Sequence, residues 1–251
     1  MSTALNGLPD PVGELCAMLA QMEGVEVVAI GGSRAAGTAD VASDWDIGVY
    51  YRSNIDLAPL AAYGKVHPPG SWGRIMNGGA WLSLGGTKVD VLLRDLDLVL
   101  HWTAKARQGV YEIDALPGYL AGAPTYSLMA ELAVNQAVQG RLPVIGEYPK
   151  KLSQTGRRRR LLNAEFSMAH AQMRAERGDV TGTVGQSAKA AVEMAHGLAC
   201  ARRQWVINEK KLLEQTGLQD LHARFTDVPP SPPQLLRWLS GLRTALRRSW
   251  P

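Results

Sequence analysis

Leu15, Met18, Leu19 and Met22 recur at the three- and four-residue spacing of one helix face. The segment opens with Asp10-Pro11 and stops at Gly24, so a helix is expected with Asp10 as N-cap and Pro11 as its first residue. Residues 25–30 form a short β-branched run, which predicts a buried strand. Gly31-Gly32-Ser33 breaks it, and a short helix is expected over 34–39. A second strand is expected over 45–51, closed by Arg52-Ser53-Asn54. Residues 80–84 and 88–93 flank Gly85-Gly86-Thr87, a hairpin signal, and 95–107 read as a helix.

The pattern changes near Gly118. Residues 126–138, 157–177, 184–203, 209–215 and 234–248 all show helical periodicity, and no strand is expected after Glu112. Pro229-Pro230-Ser231-Pro232-Pro233 predicts a stiff connector before the last helix. There is no internal repeat. The expected architecture is a mixed-sheet α/β domain over 1–120, then an all-α helical bundle domain over 121–251.

Charge sharpens this division. Residues 1–140 hold 8 Lys+Arg and 14 Asp+Glu, a net of −6. Residues 141–251 hold 19 and 9, a net of +10. An acidic half joined to a basic half suggests two modules. The chain has 251 residues, 46% of them apolar, enough to bury a core without disulfides. The two cysteines, Cys16 and Cys200, are too few and too far apart for a disulfide framework or a thiolate zinc site. No apolar run approaches the roughly 20 residues of a membrane span. Residues 1–10 lack a basic and apolar leader pattern, so no secretory signal is expected and the expected compartment is cytoplasmic.

The chemistry concentrates in Gly31-Gly32-Ser33-Arg34, Gly37-Thr38 and Ser43-Asp44-Trp45-Asp46. A strand ending in a Gly-Gly-Ser turn before a helix lets backbone N–H groups approach an anion. Ser33 adds a hydroxyl and Arg34 a charge, so the turn reads as a phosphate site. Its spacing fits neither a Walker loop nor the dinucleotide fingerprint. Asp44 and Asp46 are two apart on an expected strand and so share a face, while Trp45, Ile47 and Val49 take the other. Neighbouring carboxylates repel, and a cation removes that cost; oxygen donors select Mg2+ or Mn2+. Asp90 interrupts the apolar run Val89-Asp90-Val91-Leu92-Leu93 in the same way.

The turn Gly32-Ser33-Arg34, then Gly37-Thr38, then Ser43-Asp44-x-Asp46 resembles the signature of the DNA polymerase β-like nucleotidyltransferase superfamily. The resemblance covers roughly residues 20–95. With helices following a short catalytic domain, the chain looks like the nucleotidyltransferases that act on aminoglycoside and lincosamide antibiotics, enzymes of antibiotic resistance. It implies a five-stranded mixed sheet, two Mg2+ ions, a nucleoside triphosphate donor, most simply ATP, and pyrophosphate as product. By position, Asp44 and Asp46 match the metal pair, and Asp90 the third carboxylate, a metal ligand and in some relatives also the base. Gly32 and Ser33 match the triphosphate-binding turn. The activity implied is transfer of a nucleoside monophosphate to a hydroxyl of a small molecule. The same chemistry on RNA, such as tRNA, or on a protein side chain is the alternative, and the basic second half favours it slightly. A third reading is a module that holds a nucleotide without turnover, and three carboxylates speak against it. Monomer and homodimer both remain open.

In the helical half, Asn208-Glu209-Lys210-Lys211 reads as a helix start, with Asn208 as N-cap and Glu209 in the first turn. Antibiotic nucleotidyltransferases supply a lysine to the triphosphate from a helix of similar rank. The resemblance therefore assigns Lys210 to the phosphates, with Lys211 second. Glu112 and Glu131 are candidate acceptor-side carboxylates, and Glu131 also reads as a solvated helix face. Arg157 to Arg160 splay around a helix, so they read as solvated or as an RNA-backbone contact. The five histidines show no metal-ligand spacing and receive no role.

Overall fold

The computed structural model describes residues 7–37, 39–40 and 43–248. Thr38 of the expected motif and residues 1–6 of the expected leader-free terminus lie outside them. The chain forms two compact units, residues 1–105 with 124–147 and residues 106–123 with 148–251.

In the first unit, helix α1 (Asp10–Ala20) precedes strand β1 (Val25–Ile30), the short helix α2 (Gly32–Ala35) and strand β2 (Trp45–Tyr51). Strands β3 (Gly64–His67), β4 (Gly78–Leu84) and β5 (Thr87–Asp95) follow, then α3 (Leu96–Arg107). Asp10 is the first helical residue of α1 and makes no cap; Pro9 holds the N-cap position with no side-chain bond. Two two-residue strands, β6 (Ile113–Asp114) and β7 (Ala123–Pro124), pair as a separate sheet. Helix α4 (Ser127–Val134) then leads into strand β8 (Gln136–Gln139).

The main sheet has six strands in the order β3-β4-β5-β2-β1-β8, not five. It is mixed: β2 and β5 are parallel, and the other neighbours are antiparallel. Both strands beyond the expected set lie at the edges. β3 is largely exposed, and β8 reads Gln-Ala-Val-Gln, so neither shows an apolar alternation. The strands after Glu112 thus correct the expectation of helices alone. The helix expected over 126–138 ends at Val134 because Asn135 adopts extended backbone, with φ −65° and ψ 145°.

One face of the sheet carries Ile47, Val49, Ala80, Leu82, Val89, Val91 and Leu93, packed with Val12, Leu15, Cys16 and Leu19 of α1. On the other face, Asp46, Asp90, Trp81 and Lys65 occupy mutually paired positions on β2, β5, β4 and β3. Paired residues share a face, so these four side chains form a row across the sheet.

The second unit is dominated by α5 (Lys150–Ala175) and α6 (Val180–Ala201), with α7 (Leu212–Gln215) and α8 (Pro232–Arg248). The seam of α5 and α6 is built from small residues: Ala164, Ala171, Ala175, Ala190, Ala195 and Ala199 are all buried. A Cβ on Gly156 would stand 2.7 Å from Cys200 Sγ, so only glycine permits that approach. Asp179 caps α6, accepting the Gly182 N–H at 2.8 Å. Leu235, Leu239, Leu242 and Leu246 bury one stripe of α8. Pro232 and Pro233 sit inside the first turn of α8, where a missing N–H costs nothing, so the expected connector is shorter by two residues. No helix of the described residues is long and apolar enough to cross a membrane.

Candidate active site

The Gly-Gly-Ser turn sits between β1 and α2 and is tied directly to β2. Gly31 donates its N–H to the Asp46 carbonyl at 2.8 Å. Gly32 has φ +60°, and a Cβ there would overlap the Asp46 carboxylate. Glycine is therefore required at 32 by conformation and by space alike. Arg34 reaches along the following loop. Its guanidinium donates to the Ser43 carbonyl at 2.5 Å and the Asp44 carbonyl at 3.3 Å, and lies 4.2 Å from the Trp45 ring centre. These bonds hold the loop carrying Asp44 against the turn.

Asp46 is half-buried on β2, opposite half-buried Asp90 on β5. Asp44 lies one residue before β2 and is exposed. It therefore lies off the strand on which its spacing from Asp46 places it. Ser33 stands half-buried in α2. The structure thus brings Gly32, Asp46 and Asp90 together, with Ser33 and Arg34 in the adjoining turn and Asp44 at its rim. Carboxylate oxygens are the donors a Mg2+ ion takes. The Asp46–Asp90 pair and the glycine turn against it suit such an ion. Among the described residues, however, no group of three or more His, Cys, Asp or Glu side chains is gathered to hold a metal.

Beneath the turn lies a buried polar assembly that the sequence does not announce. Arg94 and Glu131 form a two-pronged pair, Nε to Oε2 at 2.6 Å and Nη2 to Oε1 at 2.7 Å. Arg94 is 1% exposed and also donates to the Met76 and Leu93 carbonyls. Glu131 is thus structural, not an acceptor-side or solvated carboxylate. Asn135 donates to the Tyr50 hydroxyl at 3.0 Å and lies against Gly31 and Gly48. Burial, with the charge of Glu131 beside it, pushes the Tyr50 hydroxyl far up, so it stays protonated.

At the other end of the row stands an aromatic cluster. Trp72 rests on Gly79, where a Cβ would meet both its ring and the Val91 carbonyl. Its ring lies 5.5 Å from that of Trp81, interplanar angle 26°, and His67 closes the group at 4.9 and 4.3 Å. Burial, then the charge of Lys65, lowers the His67 pKa. Trp81 keeps 49% of its surface exposed, with Lys65 Nζ 5.7 Å from its ring centre. The alternation Ala80-Trp81-Leu82 could have revealed it, since Trp81 must face away from the core.

In the second unit, the expected helix start at Asn208 is not formed. Asn208 Oδ1 accepts the Lys210 N–H at 2.9 Å, an i to i+2 turn that competes with helix. Lys211 is left-handed at φ 54°, and α7 begins only at Leu212. Lys210 and Lys211 are exposed in that turn. Glu209 does not sit in a helical first turn. It accepts the N–H groups of Leu120 and Ala121 at 2.7 and 2.9 Å. Burial works against its charge, yet His196 and these two N–H groups hold its pKa below the usual value.

The four arginines separate as their helix position requires. Arg157 and Arg158 are exposed. Arg159 donates to the Tyr111 carbonyl at 2.9 Å, and Arg160 is fully buried, 2.7 Å from Glu193. Nearby, His196 is 1% exposed, and its Nε2 stands 3.7 Å from Glu209. Burial and the Arg160 charge press its pKa down to about 4, so it is neutral at pH 7.

The structure is similar to that of a nucleotidyltransferase-like protein from Exiguobacterium sibiricum, with 10% identity and a TM-score of 0.44, over 95% of this chain and 74% of that one. It is also similar to an aminoglycoside 6-adenyltransferase from Bacillus subtilis, with 8% identity and a TM-score of 0.30, over 100% of this chain and 94% of the other. No protein-family model and no curated protein sequence matches the chain.

Proposed function

We propose that the chain is a nucleotidyltransferase that moves a nucleoside monophosphate from a nucleoside triphosphate, most simply ATP, to an acceptor hydroxyl. The observation that carries this reading is the Gly31–Gly32 turn closed on Asp46, with Asp90 at the paired position of the next strand. A glycine turn packed against two carboxylates suits a ligand that is both anionic and cation-associated. A metal-bound triphosphate is such a ligand.

The N–H groups around Gly32, the Ser33 hydroxyl and the Arg34 guanidinium would bind the phosphates. Asp46 and Asp90, with Asp44 at the rim, are the residues that would hold Mg2+. When bound, the ion supplies charge neutralisation and polarises phosphate oxygens. Asp90 would orient the acceptor hydroxyl and take its proton as oxygen attacks the α-phosphorus. The bond from that phosphorus to the β-phosphate oxygen breaks, and pyrophosphate leaves with the electron pair. Lys210 is assigned to the phosphates on the resemblance alone. The proposed domains are catalytic over 1–120 and helical over 121–251; β8, which follows the first of these ranges, is an edge strand of the main sheet. The acceptor is proposed to be a small molecule, and an antibiotic hydroxyl is one such group.

The test is a screen of α-labelled ATP, GTP, CTP and UTP with Mg2+, against small hydroxylated acceptors and bulk RNA, with Asp46→Asn as the paired variant. Label transfer by the wild type and none by Asp46→Asn, at unchanged melting temperature, supports the reading. Near-wild-type turnover by Asp46→Asn overturns it.

A further inference from the structure

We propose that His67, Trp72 and Trp81 form the acceptor platform, and that the acceptor is a nucleotide with an open ribose hydroxyl. This rests on the transfer chemistry assigned above to Asp46 and Asp90.

The platform shares their face of the sheet and is one strand away. The order across the strands is Lys65, Trp81, Asp90, Asp46. Neighbouring strands are about 4.8 Å apart, so Lys65 and Asp90 flank Trp81 at about that spacing on either side. Each position selects one chemical feature. The half-exposed indole of Trp81, backed by Trp72 and His67, offers a rigid π-surface, on which any nucleobase can stack. The ammonium of Lys65 suits a phosphate. The carboxylate of Asp90 suits a hydroxyl that must lose a proton. A nucleotide carries these three groups in that arrangement, with phosphate and open hydroxyl at opposite ends of one ribose beside the base. An aminated sugar would set its cation against Lys65. A plain aromatic alcohol would leave Lys65 without a partner charge.

Glycine geometry supports a built surface. Gly79 has no side chain, and a Cβ there would meet the Val91 carbonyl as well as the Trp72 ring, which lies close over it. The transfer step balances as before: the ribose oxygen bonds to the α-phosphorus, its proton goes to Asp90, and pyrophosphate leaves with the electrons of the broken bond.

The same chemistry is found in a free 5′-mononucleotide and at the end of an RNA strand. Binding is measured by fluorescence anisotropy with a 5′-labelled single-stranded octaribonucleotide bearing a 3′-hydroxyl, without nucleoside triphosphate, and with 5′-AMP as competitor. Base stacking on an aromatic residue predicts that Trp81→Ala weakens binding by about 5- to 150-fold, whereas Trp81→Phe largely retains it. Lys65→Ala is expected to lower the salt slope by about one. Competition by 5′-AMP identifies the single nucleotide as sufficient, and binding of the strand without such competition identifies the strand end. Equal binding by wild type and Trp81→Ala overturns the proposal, as does an equal loss in Trp81→Phe and Trp81→Ala. Equally strong competition by a phosphate-free aromatic glycoside overturns the nucleotide assignment. Asp46→Asn separates the two readings: it should bind the octamer and transfer nothing. Transfer by Asp46→Asn would overturn the catalytic reading while the platform stands on its binding data.

Discussion

Gly32 and Asp46 occupy one space: the side chain that glycine lacks would coincide with the carboxylate of Asp46. The turn and the strand are thereby matched to each other. Gly32→Ala must move the carboxylate and also hold an L-residue at φ +60°. The backbone part alone costs about 1–2 kcal/mol. The expected outcome is a stability loss of at least this size in urea melts, together with loss of nucleotidyl transfer. Unchanged melts and turnover would show that the turn relaxes freely.

Arg94 and Glu131 test whether the buried pair supports the face of the sheet that carries Asp46. Removing one partner leaves a buried charge, which costs about 3–5 kcal/mol. Arg94→Met or Glu131→Leu alone should therefore destabilise strongly. The double variant should recover much of the loss, because it removes both charges. Denaturant titrations of the three variants check this, and additive losses would contradict it.

His196 makes stability depend on pH. Its folded pKa, about 4, lies below the ordinary histidine value of 6.5. The unfolded chain therefore binds the proton first as pH falls. Between about pH 6.5 and pH 4 the unfolded state holds more protons, so stability declines as acid is added. For a single group the full window corresponds to about 3 kcal/mol. His196→Gln should flatten the decline across that window. Melts from pH 7.5 to pH 4.5 decide it, and parallel curves for variant and wild type would remove His196 as the cause.

Lys210 and Lys211 precede α7, so they differ by backbone conformation and not by position around a helix. If Lys210 meets the phosphates, Lys210→Ala should lower kcat/KM by roughly 10- to 150-fold, the worth of about 1.5–3 kcal/mol of charge-assisted contact. Stability should change by no more than about 0.5 kcal/mol, since the side chain is exposed. Lys211→Ala is the control and should lose less. Equal, small losses would leave Lys210 without that role.

Much of the catalytic face is written locally. Val25–Ile30 and Trp45–Tyr51 are strands with the bounds their largely apolar runs predict; four of the six residues of the first and five of the seven of the second are buried, and Glu26 and Asp46 interrupt the runs. The glycine turn follows from its residues in the same way. The edge strands were not legible, since Gly64–His67 and Gln136–Gln139 owe their structure to pairing with β4 and β1 and not to their own side chains. The alternation of Val89, Asp90 and Val91 marked the carboxylate that faces away from the core, but not what stands beside it.

What stands beside it depends on register, which is a property of the assembled sheet. Only strand pairing sets Asp46 against Asp90, and Trp81 beside Asp90, across 44 and 9 residues of chain respectively. Partner choice was equally beyond the sequence. Glu131 reads as a solvated helix residue until Arg94 is brought to it, and Asn208 reads as a helix cap until its turn closes on Lys210. Local spacing determines which way a side chain points from its own element. Tertiary packing determines which distant group meets it, because burial leaves a charge or a polar group stable only where a partner has been delivered.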